Sequence, residues 1–454
     1  METKKNKRST FSGKIGFVLS AAGASVGLGN IWRFPYLAAK YGGGIFLLVY
    51  IVLALTFGFA FMSAEIALGR KTGLSAIGAY GALSKKFSFI GTLTALVPMI
   101  ILPYYSVIGG WVTKYLAAFC TGQARLAAES GFFESFISKP AEPLIWFLVF
   151  LGITSFVVLR GVEKGVEKVS SIMMPILVVL SVIIAVYAVT LPGAVNGVLY
   201  YITPDFSKFS AKTVLAAMGQ LFYSMSLAMG IMITYGSYMK KDVNLEASVK
   251  QIEIFDTGIA FLAGLMIIPA VFVFSGGDEA ALGKGPGLMF VTLPQVFESM
   301  KGGTVIGAAF FILVLFAALT SSISLMETVV SIFSDKFKVK RSTACILTIA
   351  ICLFLGIPSS LGFGLWGGVK IIGLSFLDFF DFISNSVLMP IVAFLTCIFA
   401  GYVIKPKTLA DEIRRDGTFG REKVFTVMIK YLAPICIVLI LVSSVLDVFG
   451  IFKI

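Results

Sequence analysis

The sequence predicts an all-α membrane protein with eleven transmembrane helices in a single domain, residues 1–454. Three observations lead to this prediction. First, 58% of the residues are hydrophobic and only 13% are charged, which is about half the charged fraction of a soluble domain. Second, long apolar runs follow one another with only short polar gaps. Third, the first and sixth runs are interrupted, which places matching breaks in two five-helix halves.

Each apolar run is long enough to cross a bilayer, which requires about 20 residues in a helix. The first repeat is expected at about residues 12–192, the second at about 210–404, and the extra helix 11 at about 423–447. The individual spans are predicted at 14–37, 44–68, 87–118, 143–159, 167–191, 213–239, 250–275, 303–333, 342–358, 371–403 and 423–447.

Basic residues concentrate in the loops on one side of this bundle. With a cytoplasmic N-terminus, the cytoplasmic segments carry about three times as many lysines and arginines as the opposite loops. The net charge of +13 is therefore explained by topology, and nucleic-acid binding is not expected. Eleven spans place the C-terminus outside the cell, and membrane lipid surrounds the bundle.

The residue types present argue against an enzyme. Histidine is absent, which excludes Ser/His and Cys/His pairs and removes the commonest metal ligand. Neither a phosphate-binding Gly-Lys-Ser/Thr loop nor a metal-ligand spacing of the five cysteines is found. A transporter or a channel remains, and saturable uptake would distinguish the first from the second.

The break in the first span contains Gly23, Gly27 and Gly29, followed by the polar Asn30. Each glycine weakens a helix by roughly 1 kcal/mol relative to alanine. Such residues form either a small-residue packing face or an unwound turn whose backbone groups line a polar cavity. The adjacent amide favours the unwound turn, and a similar polar run interrupts the sixth span.

Four segments follow one another in an order typical of one transporter family: residues 27–36 (GLGNIWRFPY), 42–44 (GGG), 219–226 (GQLFYSMS) and 317–322 (AALTSS). They closely resemble signatures of the neurotransmitter:sodium symporters, and the resemblance covers about residues 8–403. The bacterial amino acid branch is most similar. The resemblance implies a LeuT-like fold, in which a 5+5 inverted repeat contains broken helices 1 and 6. It also implies sodium-coupled amino acid import across the bacterial inner (plasma) membrane by alternating access.

The resemblance further implies two sodium sites built from oxygen donors, which suit a hard cation. In the first site the substrate carboxylate is itself a ligand, so ion and substrate stabilise each other's binding. The first site would be formed by Ser25, Asn30, Ser224 and Asp256, and the second by Gly23, Val26, Ala317, Thr320 and Ser321.

The resemblance also implies how the substrate is held. Its carboxylate would meet backbone amides near Leu28 and the Tyr105 hydroxyl. Monoamine carriers of the family have an aspartate at the position of Gly27, so this chain favours an amino acid. The side-chain pocket suits hydrophobic or aromatic L-amino acids, although each apolar residue alone is compatible with core packing. The predicted substrate set is Ser25, Gly27, Leu28, Gly29, Ile101, Tyr105, Tyr223, Ser224, Ser226, Met229, Ser321, Ser324 and Leu325.

Two ion-pair gates are implied as well, because charges within a membrane are costly and usually paired. Arg33 and Asp381 would close the outer side above the substrate. Arg8 and Asp335 would close the inner side beside Tyr238, although Arg8 is also compatible with a topology signal in a free tail.

Gly165 and Pro175 are separated by nine residues in the fifth span, a Gly-x9-Pro spacing similar to a family pattern. A glycine followed by a proline leaves a helix short of hydrogen bonds and easy to unwind. Unwinding there is expected to admit cytoplasmic water to the second sodium site.

Asp256 indicates transport without chloride. Chloride-dependent relatives carry asparagine at this position and serine one turn later, where this chain has Ala260. A fixed negative charge and a missing hydroxyl both disfavour an anion. An empty carrier that returned with Asp256 protonated would exchange protons for sodium. The alternative function is a proton-driven or sodium-independent amino acid carrier of the same fold, and the oligomeric state is left open.

Overall fold

The computed structural model describes residues 9–276 and 287–448, and this part of the chain is almost wholly helical. Within it, nine unbroken helical segments are long and apolar enough to cross a membrane. They are Gly44–Thr72, Lys85–Cys120, Glu142–Leu159, Val162–Val189, Leu245–Ser275, Gly303–Phe337, Arg341–Leu361, Phe376–Val403 and Glu422–Leu446.

The other two predicted spans are split. Lys14–Ser25 and Gly29–Lys40 meet at a bend of 54° and together form the first span. Ala211–Ser224 and Ile231–Tyr238 form the sixth, separated by residues 225–230. All eleven predicted spans are therefore helical, and no boundary differs from the prediction by more than five residues. They are called spans 1 to 11 in chain order below.

Short helices connect the spans, and the described residues contain no strand beyond two isolated bridges. These short helices are Ala76–Leu83, Ala124–Ala127, Phe132–Ser138, Ala194–Ile202, Phe206–Lys208, Leu288–Thr292, Leu293–Ser299, Pro406–Ile413 and Arg414–Asp416.

The broken spans lie at the centre of the bundle. The first half of span 1 packs against spans 5, 7 and 8, and the second half of span 6 packs against span 2. The outer spans 4, 5 and 11 expose large apolar side chains such as Phe156, Ile172 and Leu439. Apolar exposure around a helical bundle is typical of a membrane protein, because lipid covers those faces.

Several spans contain π-helical turns, which often mark functional positions. Three of them fall on predicted functional segments: Gly29–Arg33 at the break of span 1, Val162–Glu167 around Gly165, and Phe382–Leu388 directly after Asp381.

A buried arginine joins span 2 to the chain that follows span 10. The Arg70 side chain is 0% exposed, with Nε 3.0 Å from Glu412 Oε1 and Nη1 2.5 Å from Asp416 Oδ2. Nη1 also donates to the Val243 carbonyl at 2.9 Å, in the segment after span 6. One side chain therefore joins the end of span 2 to the two segments that follow spans 6 and 10.

An Arg70→Ala variant is expected to lose about 3–5 kcal/mol of stability, because Asp416 loses its counter-charge and the buried Glu412 keeps only the partly exposed Lys241. The matched control is Arg414→Ala, since Arg414 is 42% exposed and pairs with Asp411 and Glu422 at the surface. Exposed pairs contribute about 0–1 kcal/mol. Thermal unfolding of both variants in detergent is the measurement, and equal losses would contradict the prediction.

Candidate functional site

Span 1 is broken where its two halves meet. Val26 leaves the helix with φ −73° and ψ 103°. A Cβ on Gly27 would lie 2.7 Å from Ser321 Oγ, and a Cβ on Gly29 would lie 2.5 Å from the Tyr223 ring. Both interpretations of these glycines therefore apply, because the helix is unwound and its glycines also permit close packing.

The break in span 6 contains two non-glycine residues with positive φ, Ser226 at 52° and Ala228 at 59°. Such backbone strain is usually of order 1–3 kcal/mol per residue and persists only where contacts hold it. The Ser226 hydroxyl donates to the Ala24 carbonyl at 2.8 Å, and the Ala228 N–H donates to Glu65 Oε2 at 3.3 Å. Glu65, which is fully buried, was not among the predicted site residues, although an acid within the apolar span 2 is itself a functional signal.

The two breaks face each other across a small cavity. Twelve of the thirteen predicted substrate residues line it, all except Ser324. Asn30 also lines the cavity, as do two residues that were not predicted, Ala24 and Ile231. Each missed residue lies one or two positions from a predicted one, at the end of a helix that borders a break.

Ser324 was predicted to bind the substrate, but it does not line this cavity. Its hydroxyl accepts from Tyr235 at 2.7 Å and donates to the Thr320 carbonyl at 2.8 Å. These two bonds hold the side chain away from the cavity, against the second half of span 6.

The cavity lining contains no charged side chain among the residues that the structure describes. Its polar groups are backbone atoms, hydroxyls and one amide, and the Leu28 N–H points to the Tyr105 hydroxyl at 3.4 Å. Its apolar groups include Ile101, Met229 and Leu325. Helix ends carry partial charges that can receive an ion, so a ligand with charges of both signs can be held without a charged side chain.

The predicted first sodium site is assembled around Asp256 of span 7, which is fully buried. Asp256 Oδ1 accepts from Asn30 Nδ2 and Ser224 Oγ, both at 2.8 Å. Asp256 Oδ2 lies 3.0 Å from the Tyr50 hydroxyl. Ser25 lines the cavity beside Asn30 and Ser224. The four predicted ligand residues are thus neighbours.

The predicted second sodium site is assembled where span 8 meets the broken span 1. The Ser321 hydroxyl oxygen lies within 3.4 Å of three carbonyl oxygens, those of Gly23, Ala24 and Val26. The Thr320 hydroxyl lies 3.2 Å from the carbonyl oxygen of Ala317. A Cβ on Gly23 would lie 3.1 Å from the Thr320 Cβ, so Thr320 also faces the broken span 1, whereas the Ala317 contact lies within span 8. The groups that these residues present are hydroxyl and carbonyl oxygens.

The predicted outer gate is not closed as a direct ion pair. Within the described residues, Arg33 forms no ion pair with Asp381, and its guanidinium lies 5.5 Å from the centroid of the Tyr223 ring. Asp381 Oδ1 accepts from Asn385 Nδ2 at 2.6 Å and from the Tyr104 hydroxyl at 3.1 Å. These two donors bind the Asp381 carboxylate, and neither Asn385 nor Tyr104 was predicted.

The predicted inner gate is described only in part, because Arg8 lies outside the described residues. Asp335 Oδ2 accepts from the Ser75 N–H at 2.8 Å. The Phe11 N–H donates to the Tyr238 carbonyl at 3.1 Å, and their ring centroids are 6.0 Å apart. The segment before span 1 is therefore packed against the end of span 6.

Gly165 lies in a tight contact between spans 4 and 5. A Cβ there would lie 2.1 Å from the Val157 carbonyl oxygen. An alanine would displace this contact as well as stiffen the helix, so Gly165→Ala does not isolate unwinding. Pro175 lies inside the span 5 helix and is exposed, which makes it the cleaner position to change.

Comparison with known proteins identifies the family. The model of the sodium:neurotransmitter symporter family matches residues 8–130 and 133–451. The chain belongs to the sodium:neurotransmitter symporter family. This family consists of transporters, and with its many apolar helices the symporter is a multi-pass membrane protein.

Relatives match along nearly the whole symporter. It is 34% identical over 442 residues to the uncharacterized sodium-dependent transporter YhdH of Bacillus subtilis (strain 168), covering 96% of this chain and 97% of that one. It is 32% identical over 464 residues to an uncharacterized sodium-dependent transporter of Haemophilus influenzae, covering 98% and 100%.

A solved structure confirms the predicted LeuT-like fold. The crystal structure of MhsT in complex with L-phenylalanine matches the symporter with a TM-score of 0.87 at 39% sequence identity. The match covers 96% of this chain and 100% of MhsT.

Proposed function

We propose that this symporter imports hydrophobic or aromatic L-amino acids by alternating access, with two sodium sites and without chloride. The observation that carries the proposal is the cavity between the two broken spans, which joins backbone ends to an apolar pocket and has no charged lining. The sodium-dependent relatives support sodium as the coupling ion, and the L-phenylalanine complex of MhsT supports an amino acid as the substrate.

The uncharged lining favours a zwitterion over an amine. A carboxylate-free amine would bring one unpaired positive charge into the cavity, whereas an amino acid also supplies the negative charge. Gly27 reinforces this choice, because a side chain there would meet Ser321 Oγ and the Tyr105 hydroxyl. Ile101, Met229 and Leu325 then favour an apolar substrate side chain, since a polar one would lose its hydrogen bonds to water.

Sodium binding and substrate binding are coupled because both ligands would lie beside the same residues. Asn30 and Ser224 line the cavity and also contact Asp256. A substrate carboxylate beside them becomes a ligand of the first sodium, so that sodium raises substrate affinity and substrate raises sodium affinity by the same factor. We place the N-terminus in the cytoplasm of a bacterial cell, the C-terminus outside, and the substrate path across the plasma membrane.

The function is tested with the purified full-length protein in proteoliposomes. We expect saturable L-phenylalanine uptake that requires an inward sodium gradient and fails in potassium, with competition by leucine, tryptophan and tyrosine but little by glycine. Uptake driven by a proton gradient without sodium would instead establish the alternative carrier. An unsaturable current would indicate a channel.

Two adjacent serines test the second sodium site. Ser321→Ala is expected to raise the sodium concentration for half-maximal uptake by about tenfold or more, because one hydrogen bond or ligand to a charge contributes about 1.5–3 kcal/mol. The control is Ser322→Ala, because the Ser322 hydroxyl faces Thr154 at 2.8 Å on another side of span 8. Equal sodium dependence of the two variants would argue against this site.

Proline 175 tests the unwinding of span 5. Pro175→Ala restores an N–H donor and strengthens the helix by up to about 3 kcal/mol, so inward sodium release is expected to slow by on the order of tenfold. Release is measured in single-turnover sodium efflux from preloaded protein. Pro358→Ala in span 9 is the control membrane proline. Unchanged release by Pro175→Ala would show that this segment does not limit the step.

A further inference from the structure

A groove lies between spans 4 and 5 at the periphery of the helical bundle. It is open to the surroundings. One part of its lining is apolar, with Phe156 and Ile172 being 57% and 55% exposed. The other part is basic, because Arg160 at the end of span 4 and Lys164 and Lys168 of span 5 all line it. The groove is therefore amphipathic.

The charges of this groove are not neutralised by the protein. Within residues 9–276 and 287–448, none of Arg160, Lys164 and Lys168 forms an ion pair, and all three are exposed. Two acids are close in sequence, but neither lines the groove. Glu167 is buried and accepts from the N-terminal segment, and Glu163 is exposed. The groove thus carries three positive charges and no negative one.

The basic and apolar parts meet at one residue pair. The Arg160 guanidinium lies 4.2 Å from the centroid of the Phe156 ring. This contact fixes the guanidinium at the border between the charged end and the apolar walls. A ligand that fits both parts has a negative head and a hydrocarbon tail, which is the chemistry of a membrane lipid.

We propose that this groove binds an anionic diacyl phospholipid of the surrounding membrane. The headgroup phosphate lies between Arg160 and the two lysines of span 5, and an acyl chain lies along Phe156 and Ile172. A free phosphate does not match the site, because it would leave the apolar walls uncovered. The lipid bridges the ends of spans 4 and 5 at Gly165, a contact outside the transport cavity.

The test uses full-length protein purified in a mild detergent and freed of lipid. Phosphatidylglycerol and phosphatidylcholine with identical acyl chains are titrated separately, and bound lipid is counted by native mass spectrometry. Phosphatidylglycerol is expected to bind more tightly. The triple variant Arg160→Gln, Lys164→Gln, Lys168→Gln is expected to lose on the order of 100-fold in affinity for phosphatidylglycerol, since each base near an anionic lipid contributes roughly fivefold.

The matched control replaces three exposed bases on the same predicted side of the membrane: Lys85→Gln, Lys86→Gln and Lys407→Gln. It should leave the affinity unchanged within about twofold. Equal affinity for the two lipids, or equal loss in both triple variants, overturns the proposal. Displacement of phosphatidylglycerol by millimolar glycerol phosphate also overturns it, because the site would then recognise a free phosphate. If the first triple variant does not fold, Lys164→Gln and Lys168→Gln singly are each expected to lose roughly fivefold.

Discussion

A Gly27→Asp variant of this symporter is expected to lose amino acid uptake by about 100-fold or more. A new carboxylate would lie beside the backbone amides that are proposed to receive the substrate carboxylate, and like charges in close contact cost several kcal/mol. The added Cβ would also lie 2.7 Å from Ser321 Oγ and 3.2 Å from the Tyr105 hydroxyl. Uptake of labelled L-phenylalanine in proteoliposomes is the measurement.

The control separates the added charge from the added volume. Gly27→Ala introduces the same Cβ without the carboxylate. At saturating sodium it is expected to weaken uptake far less, because no like charge is added and displacement of the Ser321 hydroxyl acts through the sodium dependence. Gly27→Asp should in addition bind phenethylamine, a carboxylate-free amine, when correctly folded. A Gly27→Asp protein that still transports L-phenylalanine with wild-type affinity would show that the substrate carboxylate lies elsewhere.

Replacing Asp256 by asparagine is expected to make uptake depend on chloride. In the wild type the Asp256 carboxylate accepts hydrogen bonds from Asn30, Ser224 and Tyr50. The donors that could bind a chloride ion are therefore already bound to a fixed negative charge. Removing that charge leaves a buried cluster of donors without an anionic acceptor, which costs several kcal/mol. Uptake by Asp256→Asn should fall by about tenfold or more when gluconate replaces chloride.

The matched change one turn away is Ala260→Ser, at a fully buried position of span 7. Alone it should leave uptake independent of chloride, and combined with Asp256→Asn it should strengthen chloride dependence by adding a hydroxyl. Wild-type uptake that already requires chloride would contradict the proposal, as would an Asp256→Asn variant that is equally active in both salts.

The spans and their order were predictable because each obeys a local rule. About 20 apolar residues must form a helix in a membrane, since no water is present to satisfy the backbone. The first break was predictable from Gly27 and Gly29. Glu65 was missed, although an acid inside an apolar run is a readable signal, because its partner is the Ala228 N–H far along the chain.

Side-chain directions at the site were less predictable. Ser321 and Ser324 are three residues apart on one helix, yet Ser321 faces the break and Ser324 bonds Tyr235. The outer gate shows the same limit. Arg33 and Asp381 were paired by their charges, but Asn385 and Tyr104 bind the carboxylate instead. Competition among several donors within reach decides such contacts.

The sequence by itself determined that this protein is a bundle of membrane helices with a break in the first span, because hydrophobicity and glycine content act locally along the chain. Transport was indicated by the family motifs and not by these local properties. Only the tertiary structure decided how the two breaks meet, because that depends on residues about 200 positions apart. The bond from Ser226 to the Ala24 carbonyl and the contact from Asn30 to Asp256 exist only once the helices are packed. Those contacts bring Ser25, Asn30 and Ser224 of the first predicted sodium site, and Ser321 of the second, to the wall of one cavity.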